Sequence, residues 1–547
     1  MVQEIKSSAR VQKWLPLIVL SSALMIIVID TTVLNVSIRD IVQDLNTDVR
    51  ALQWVISAYS LTLAALMVTG GRLGDLYGRR KMFRIGAVLF AFGSIITAVA
   101  PDITWVIIGN ALIEGIGAAL MMPATAALLV NNYSGKDRAL AFAIWGAVAA
   151  SAAAIGPIFG GWLTTTYSWR WAFSINIFVV ALLLAGSRFV REAREQSAKK
   201  ELDFMGIVLS SVGLVSIVYG LIESSTYGWG LSKVPFALFG NSATPFGLSI
   251  ALLSILGGLL LMGLFLWFER RRELQGHTPL VSLALFQNKQ FMAGSITSSL
   301  MVIGQSGMIF AIPIFYQSVL GLDAFHTGLG LLPMSLAVMS GAPVALRLTK
   351  DFTPKRVIQA GFIISLVGVL YMYVVLSTDS TPLRLAPGLF LFGFGTGFGF
   401  SQLGNVTLSA VSMQQSGEAS GVNSTFRQIG SSFGSAIIGA ALITTLSSGL
   451  LSRVESSSIL PPSDKPVILS QLRDAGATIN FESAPTPGVD DAIKKEVTLL
   501  RHQATVDGNK MALLLTCGFL LVALSASVAL PNIRDLDTGK KAVSSGH

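Results

Sequence analysis

Apolar stretches long enough to cross a bilayer recur almost from one end of this 547-residue chain to the other. About 20 residues of apolar helix span the hydrocarbon core. By that measure spans fall near 14–37, 52–71, 82–100, 104–130, 139–162, 170–190, 204–224, 246–268, 291–319, 325–346, 357–377, 384–410, 418–447 and 510–530. The count is about fourteen. The first stretch is too long for the core of a cleavable signal peptide and contains Asp30. Hydrophobic residues make up 52% of the chain and charged residues only 13%, against roughly 25% charged in a soluble globular protein.

The cations orient the spans. With the N-terminus inside, cytoplasmic segments hold about 26 Lys and Arg, and the short outer loops hold 5: Arg39, Arg50, Arg170, Lys233 and Arg384. This asymmetry predicts that both termini are cytoplasmic. The net charge of +9 is spread over short loops beside the spans, which argues against nucleic acid as a partner. The chain has one cysteine, Cys517, and four scattered histidines. No thiol, histidine or zinc chemistry is expected, and no metal, cofactor or enzyme activity. No Walker-type lysine motif is present, and the glycines of 393–399 lie mid-span with no strand before them, so ATP is not the expected energy source.

Two soluble pieces interrupt the pattern: a charged linker at 191–203, and a long polar outer loop at 448–509 whose prolines and mixed charge fit either a small lid or disorder. The run Leu346 to Arg356 looks like a degraded copy of 71–80, each following the second span of its half. The simplest architecture is a six-helix bundle at 14–190, an extra pair of helices at 204–268, and a second six-helix bundle at 291–530. Transporters are commonly built from such repeats, with substrate held between them.

Few charges lie inside the spans. Asp30, in Ile29-Asp30-Thr31-Thr32, and Glu114, in Ile113-Glu114-Gly115, sit at similar depth in the first and fourth spans. An intramembrane charge costs roughly 2.5–3.5 kcal/mol on insertion scales, so it faces a cavity or a partner. Each acid is either a carrier of protons, or an attractor of cations, or a structural group bonded to neighbouring polar side chains. Arg427, just inside the thirteenth span, either pairs with an acid or snorkels to the interface. Asn35, Trp54, Tyr59, Tyr316 and Gln317 are candidate cavity-lining residues. Gly156-Pro157 with Gly160-Gly161 breaks the fifth span and permits close helix contact.

One run is denser in glycine and charge than any other: Gly71-Arg72-Leu73-Gly74-Asp75-Leu76-Tyr77-Gly78-Arg79-Arg80-Lys81. It reads as a short, sharply turned cytoplasmic loop, and it resembles the loop signature of the major facilitator superfamily. Asp30-Thr31-Thr32-Val33-Leu34-Asn35-Val36, Gln53-Trp54-Val55-Ile56-Ser57-Ala58-Tyr59, Met122-Pro123-Ala124-Thr125, Ser168-Trp169-Arg170-Trp171 and Gly417-Glu418-Ala419-Ser420-Gly421 are similar to its fourteen-helix drug:proton antiporter branch, the EmrB/QacA type. The resemblance implies an all-α membrane protein of two six-helix bundles plus two central helices. It implies alternating access, with proton entry driving export of hydrophobic or amphipathic, often cationic, compounds by a monomer in the cell membrane; the alternatives are a dedicated exporter of one endogenous metabolite (antibiotic, lipid or siderophore) and a non-transporting, ligand-sensing homologue. Gly71, Arg72, Gly74, Asp75, Gly78, Arg79 and Arg80 would form a conformational latch, and Gly156, Pro157, Gly160 and Gly161 the antiporter motif. Three positions depart from the pattern. Ala111 replaces an arginine, Glu114 a glutamine and Arg39 a proline, so Asp30 lacks the counter-charge that the family supplies.

Overall fold

The computed structural model describes residues 2–192, 203–238, 241–243, 247–277, 279–411, 416–474 and 491–532. Its elements are α1 (Val2–Val36), α2 (Ile38–Asp44), α3 (Val49–Tyr77), α4 (Arg79–Ala98), α5 (Ile103–Val106), a π-helical stretch Ile107–Glu114, α6 (Gly115–Asn132), α7 (Gly135–Thr166) and α8 (Trp169–Gly186). Then come α9 (Phe204–Tyr227), a hairpin of β1 (Phe236–Leu238) with β2 (Asn241–Ala243), α10 (Ile250–Leu274) and α11 (Leu283–Gln287). The last set is α12 (Lys289–Ser318), α13 (Ala324–Leu348), α14 (Pro354–Val375), α15 (Pro382–Leu408), α16 (Ser416–Ser456), α17 (Lys465–Asp474) and α18 (Asp491–Ala526). Among the described residues thirteen helices are long and apolar enough to span a membrane, and α7, bent by 43° near Ala153, supplies a fourteenth when its two halves count as one span. Pro157 explains the bend, because it leaves the carbonyl four residues back without its helical donor.

Short polar side chains start many of these helices by taking up their first N–H groups. Asp48 accepts from Ala51 N at 2.6 Å, Asp102 from Thr104 N at 2.8 Å, Asn288 from Phe291 N at 3.0 Å and Asp323 from His326 N at 2.7 Å. The glycine- and charge-rich run at 71–81 is not a loop. Helix α3 continues to Tyr77, and Gly78, at φ +103°, is the single break before α4. That left-handed value favours glycine, whereas Arg72 to Tyr77 keep their hydrogen bonds in the helix.

The 448–509 segment also differs from a long irregular loop. Its first part extends α16, its last part begins α18, and α17 lies between them. Leu450, Val454, Leu460 and Leu500 are buried there in one apolar cluster with α2. The expected linker at 191–203 falls mostly outside the described residues. The β1–β2 hairpin went unforeseen because three-residue strands leave no periodic trace.

Two six-helix groups result, α1 to α8 and α12 to α18, with α9 packed on the seam between α3 and α16 and α10 packed on α9. The groups meet toward the side that carries α2. There Leu34, Ile38 and Leu52 of the first share a buried cluster with Phe310, Ile314, Ile438 and Leu442 of the second. Toward the side that carries Gly78, the clusters instead belong to the first group alone (Leu20, Phe83, Leu128, Leu183), or join the second to the extra pair (Phe265, Leu285, Phe291, Val422).

Candidate functional site

Asp30 lies six residues before the end of α1, about 9 Å along the axis. The hydroxyls beside it do not serve it. Thr31 and Thr32 donate to the carbonyls of Val28 and Ile29, at 2.7 and 2.8 Å, and Asn35 donates to that of Thr31 at 2.9 Å. Asp30 takes its hydrogen bonds from other helices: Oδ2 from Asn110 Nδ2 at 2.9 Å, and Oδ1 from Asn176 Nδ2 at 3.2 Å.

The same Asn110 amide donates to Glu114 Oε2 at 2.6 Å, and the hydroxyl of Ser94 donates to Glu114 Oε1. Asn176 closes the ring with a 3.2 Å bond to Ser94 Oγ. Five polar residues from α1, α4, the fourth span and α8 thus form one network, and each is at most 3% exposed. Asn110 spends both N–H groups on the two acids and leaves Oδ1 without a partner. Among the described residues no Lys, Arg or His bonds to the cluster, and Ala111 is fully buried beside it.

The fourth span reaches this geometry by changing its winding. From Ile107 to Glu114 it is a π-helix, and Gly115 N–H bonds back five residues to Asn110. Such stretches are rare and frequent at functional sites. The glycines show why it fits. A Cβ on Gly86 would meet the Gly117 carbonyl at 2.6 Å, and one on Gly93 the Gly109 carbonyl at 2.5 Å. Gly86 and Gly93 are seven residues apart, but Gly109 and Gly117 are eight apart. The π stretch takes up the extra residue and keeps the two backbones in contact at both points. A Cβ on Gly93 would also lie 2.6 Å from Glu114 Cγ, so this glycine makes the space for the acid.

The network is tied to the contact between the two groups. Gly156 and Gly160 of α7 face Thr32 and Val33 of α1, at 2.2 and 2.5 Å from would-be Cβ atoms. The other face of α7 meets α13, where a Cβ on Gly161 would lie 2.3 Å from the Ala324 carbonyl and one on Gly328 2.3 Å from the Pro157 carbonyl. The seam of α3 with α16 adds polar contacts to its apolar ones. Gln53 Nε2 donates to the carbonyls of Ser435 and Ala436, at 2.8 and 3.0 Å, and Ser57 bonds Ser435 at 2.7 Å.

The structure brings Asp30 and Glu114 together, with Tyr59 buried in electrostatic reach of both. It does not gather the other candidates there. Asn35 bonds within α1. Trp54 turns to the extra pair, donating to Glu223 at 2.9 Å, and Arg50 pairs with the same carboxylate. Tyr316 is fully buried in the second group, its ring against Gly330. Gln317 ties the groups together, accepting from Arg39 N and donating to the Val36 carbonyl, both at 2.8 Å. Arg427 lies over the ring of Phe400. Of the latch residues, Arg79 pairs with Asp75 at 2.7 Å, and Arg80 N bonds Glu192 at 2.9 Å, both within the first group. Residue-by-residue reading missed Ser94, Asn110 and Asn176, whose one signal is a polar side chain in mid-span.

The family model described as Major Facilitator Superfamily matches residues 20–435. The tetracenomycin C resistance and export protein of Streptomyces glaucescens is 28% identical, covering 96% of this chain and 92% of that one. The multidrug resistance protein Stp of Mycobacterium tuberculosis is 30% identical over 81% of this chain and 78% of its own. Among solved structures, the inward-facing, occupied form of a bacterial homologue of the human lysosomal transporter Spinster aligns with a TM-score of 0.59 at 14% identity, over 94% of this chain and 95% of that one.

Proposed function

The chain belongs to the major facilitator superfamily, and from that premise we propose that it is a proton-coupled exporter of hydrophobic or amphipathic compounds, working as a monomer by alternating access across the cell membrane. Relatives named for drug resistance and export support the export of drugs. The relative named for resistance to and export of a single compound, tetracenomycin C, also favours a narrower reading, a dedicated exporter of one product. The excess of cations at the Gly78 side supports a cytoplasmic position for that side.

The observation that carries the coupling is the sealed pair Asp30 and Glu114, bridged by one neutral amide. An uncompensated carboxylate in a dry interior costs several kcal/mol. Moving one charge down a membrane potential supplies about 2.3 kcal/mol per 100 mV. The potential alone does not strip a proton from the sealed pair. The pair keeps its proton while dry and exchanges it in the conformation that admits water.

Asp30 is two residues from Thr32 and three from Val33, the side chains that fill the notches at Gly156 and Gly160. A shift of α1 on proton loss therefore reaches α7, and through Gly161 and Pro157 the contact with α13. Arg72, Asp75 and Arg79 act as the latch on the Gly78 side when that side closes.

The test is transport in proteoliposomes. An imposed pH gradient is expected to drive accumulation of an amphipathic fluorescent dye, and collapse of the gradient to stop it. Dye movement that ignores the gradient would refute the coupling.

A further inference from the structure

Arg427 is an ionisable side chain deep in the second group that reaches open space. It lies eight residues in from Ala419, where the apolar span of α16 begins, about 12 Å along the axis. Phe400, under its guanidinium at 4.8 Å, lies eight residues before Leu408, the end of α15. The two are at matching depth, so the arginine is held inside and does not snorkel out. Its side chain is exposed, and with Ser298, Met301, Phe400, Leu403 and Asn423 it lines a small pocket between α12, α15 and α16.

Nothing in that pocket neutralises the charge. Helices α12 and α15 contain no Asp or Glu, and neither does α16 from Ala419 to Val454. Among the described residues no carboxylate lies within ion-pair distance of Arg427. Stacking on Phe400 occupies the face of the guanidinium and leaves its N–H edge for another group. One turn earlier, Asn423 lines the same pocket at 7% exposure with Oδ1 unpartnered. An orphaned buried acceptor calls for a donor. The acids of the first group offer no competing attraction, because Asp30 and Glu114 are sealed.

We propose that Arg427, Phe400 and Asn423 form a substrate subsite for an anionic aromatic compound that carries a hydroxyl: a carboxylate or phenolate on the Arg427 fork and a hydroxyl donated to Asn423 Oδ1, with its ring system in the open space outside this small pocket. The proposal rests on the exporter reading and narrows it, from amphipathic compounds at large to acidic aromatics.

The test compares two dyes with one ring system and opposite charge, fluorescein and rhodamine 123, at mildly acidic pH, where fluorescein carries its carboxylate and still keeps a phenolic hydroxyl. Binding is read by fluorescence anisotropy on the intact protein in nanodiscs, with no gradient, and flux is read separately in proteoliposomes. Wild type is expected to bind fluorescein more tightly than rhodamine 123. Arg427→Gln is expected to weaken fluorescein binding by about tenfold or more, as loss of a charge-assisted hydrogen bond predicts, with rhodamine 123 unchanged as the control for folding. Asn423→Asp, which sets a carboxylate against Arg427, is expected to reduce fluorescein binding as well, and Arg427→Lys to retain part of it. Tighter binding of rhodamine 123 by wild type, or fluorescein binding indifferent to Arg427→Gln, would overturn the subsite. Normal binding without gradient-driven flux would leave the subsite standing and sink the exporter reading alone.

Discussion

Among the described residues two pairs of buried acids are held in opposite ways. Asp30 and Glu114 lie among four helices of the first group, bonded to side-chain amides and a hydroxyl. Asp203 and Glu269 lie where α9 begins and α10 ends, at 3% and 0% exposure. Their oxygens converge on Gly206, where a Cβ would meet Glu269 Oε1 at 2.4 Å and Asp203 Oδ2 at 2.6 Å. This second pair is anchored by backbone: Gly206 N donates to Asp203 and Leu280 N to Glu269, both at 2.8 Å. It also has a cation, Arg272, at 3.3 Å from Asp203. Backbone donors and a fixed arginine hold one arrangement, whereas side-chain amides can turn when a proton leaves. Under the proposed coupling the first pair is the switch, whereas the second staples two helices.

The largest expected effect separates the two directly. Asp30→Asn preserves shape and removes the switch, so gradient-driven dye flux should fall to the level of protein-free vesicles while thermal stability holds. Glu269→Gln should leave flux within about twofold, since its pair acts on packing. Glu114→Gln should weaken gradient stimulation and spare downhill exchange. Normal driven flux in Asp30→Asn, or abolished flux in a folded Glu269→Gln, would invert the comparison.

Next in size is Gly93→Ala. Its methyl would press on the Gly109 carbonyl and on Glu114, and overpacking of this kind costs roughly 1–3 kcal/mol. A lower unfolding temperature together with impaired flux is expected. The control is Gly257→Ala, where a Cβ would meet nothing within 4 Å, and no loss is expected there.

These positions show what a sequence can and cannot disclose. The spans were legible because a membrane demands a long apolar run, and Asp30 and Glu114 were legible as charges in the wrong solvent. Asn110 and Asn176, which complete the site, were not, since an uncharged amide in mid-span signals little alone. The π stretch leaves no mark in composition; its trace is the mismatch of seven residues between Gly86 and Gly93 against eight between Gly109 and Gly117. At 71–81 the density of glycine and charge suggested a loop, yet one glycine at positive φ makes the whole turn. Local composition reports solvent preference well and backbone winding poorly.

The staple has its own test. Arg272→Met leaves two acids facing each other without their cation. Stranding a buried charge costs 3–5 kcal/mol when burial is complete, and Arg272 is 20% exposed, so a loss of about 2 kcal/mol is expected. Adding Glu269→Gln to Arg272→Met should recover part of it. A double variant no more stable than the single one would mean that the arginine acts by packing rather than by charge.

The smallest effect is expected where an acid is paired but wet. Asp44, at the end of α2, accepts from Trp169 Nε1 at 2.9 Å and pairs with Arg170, yet its side chain is 46% exposed. Partial burial alone would raise its carboxyl, but the hydrogen bonds from Arg170 and Trp169 outweigh that and hold it below the usual carboxylate range. A group depressed in the folded state stabilises above its unfolded value, about pH 4, and loses that contribution as pH falls through the lower folded value. Asp44→Asn should therefore lower the unfolding temperature slightly at pH 7, and the gap from wild type should close on acidification below pH 4 and on addition of salt. The staple pair, shielded from solvent, should keep its Arg272→Met deficit in the same salt series. If salt erased both deficits alike, burial would not be what separates the staple from a surface ion pair.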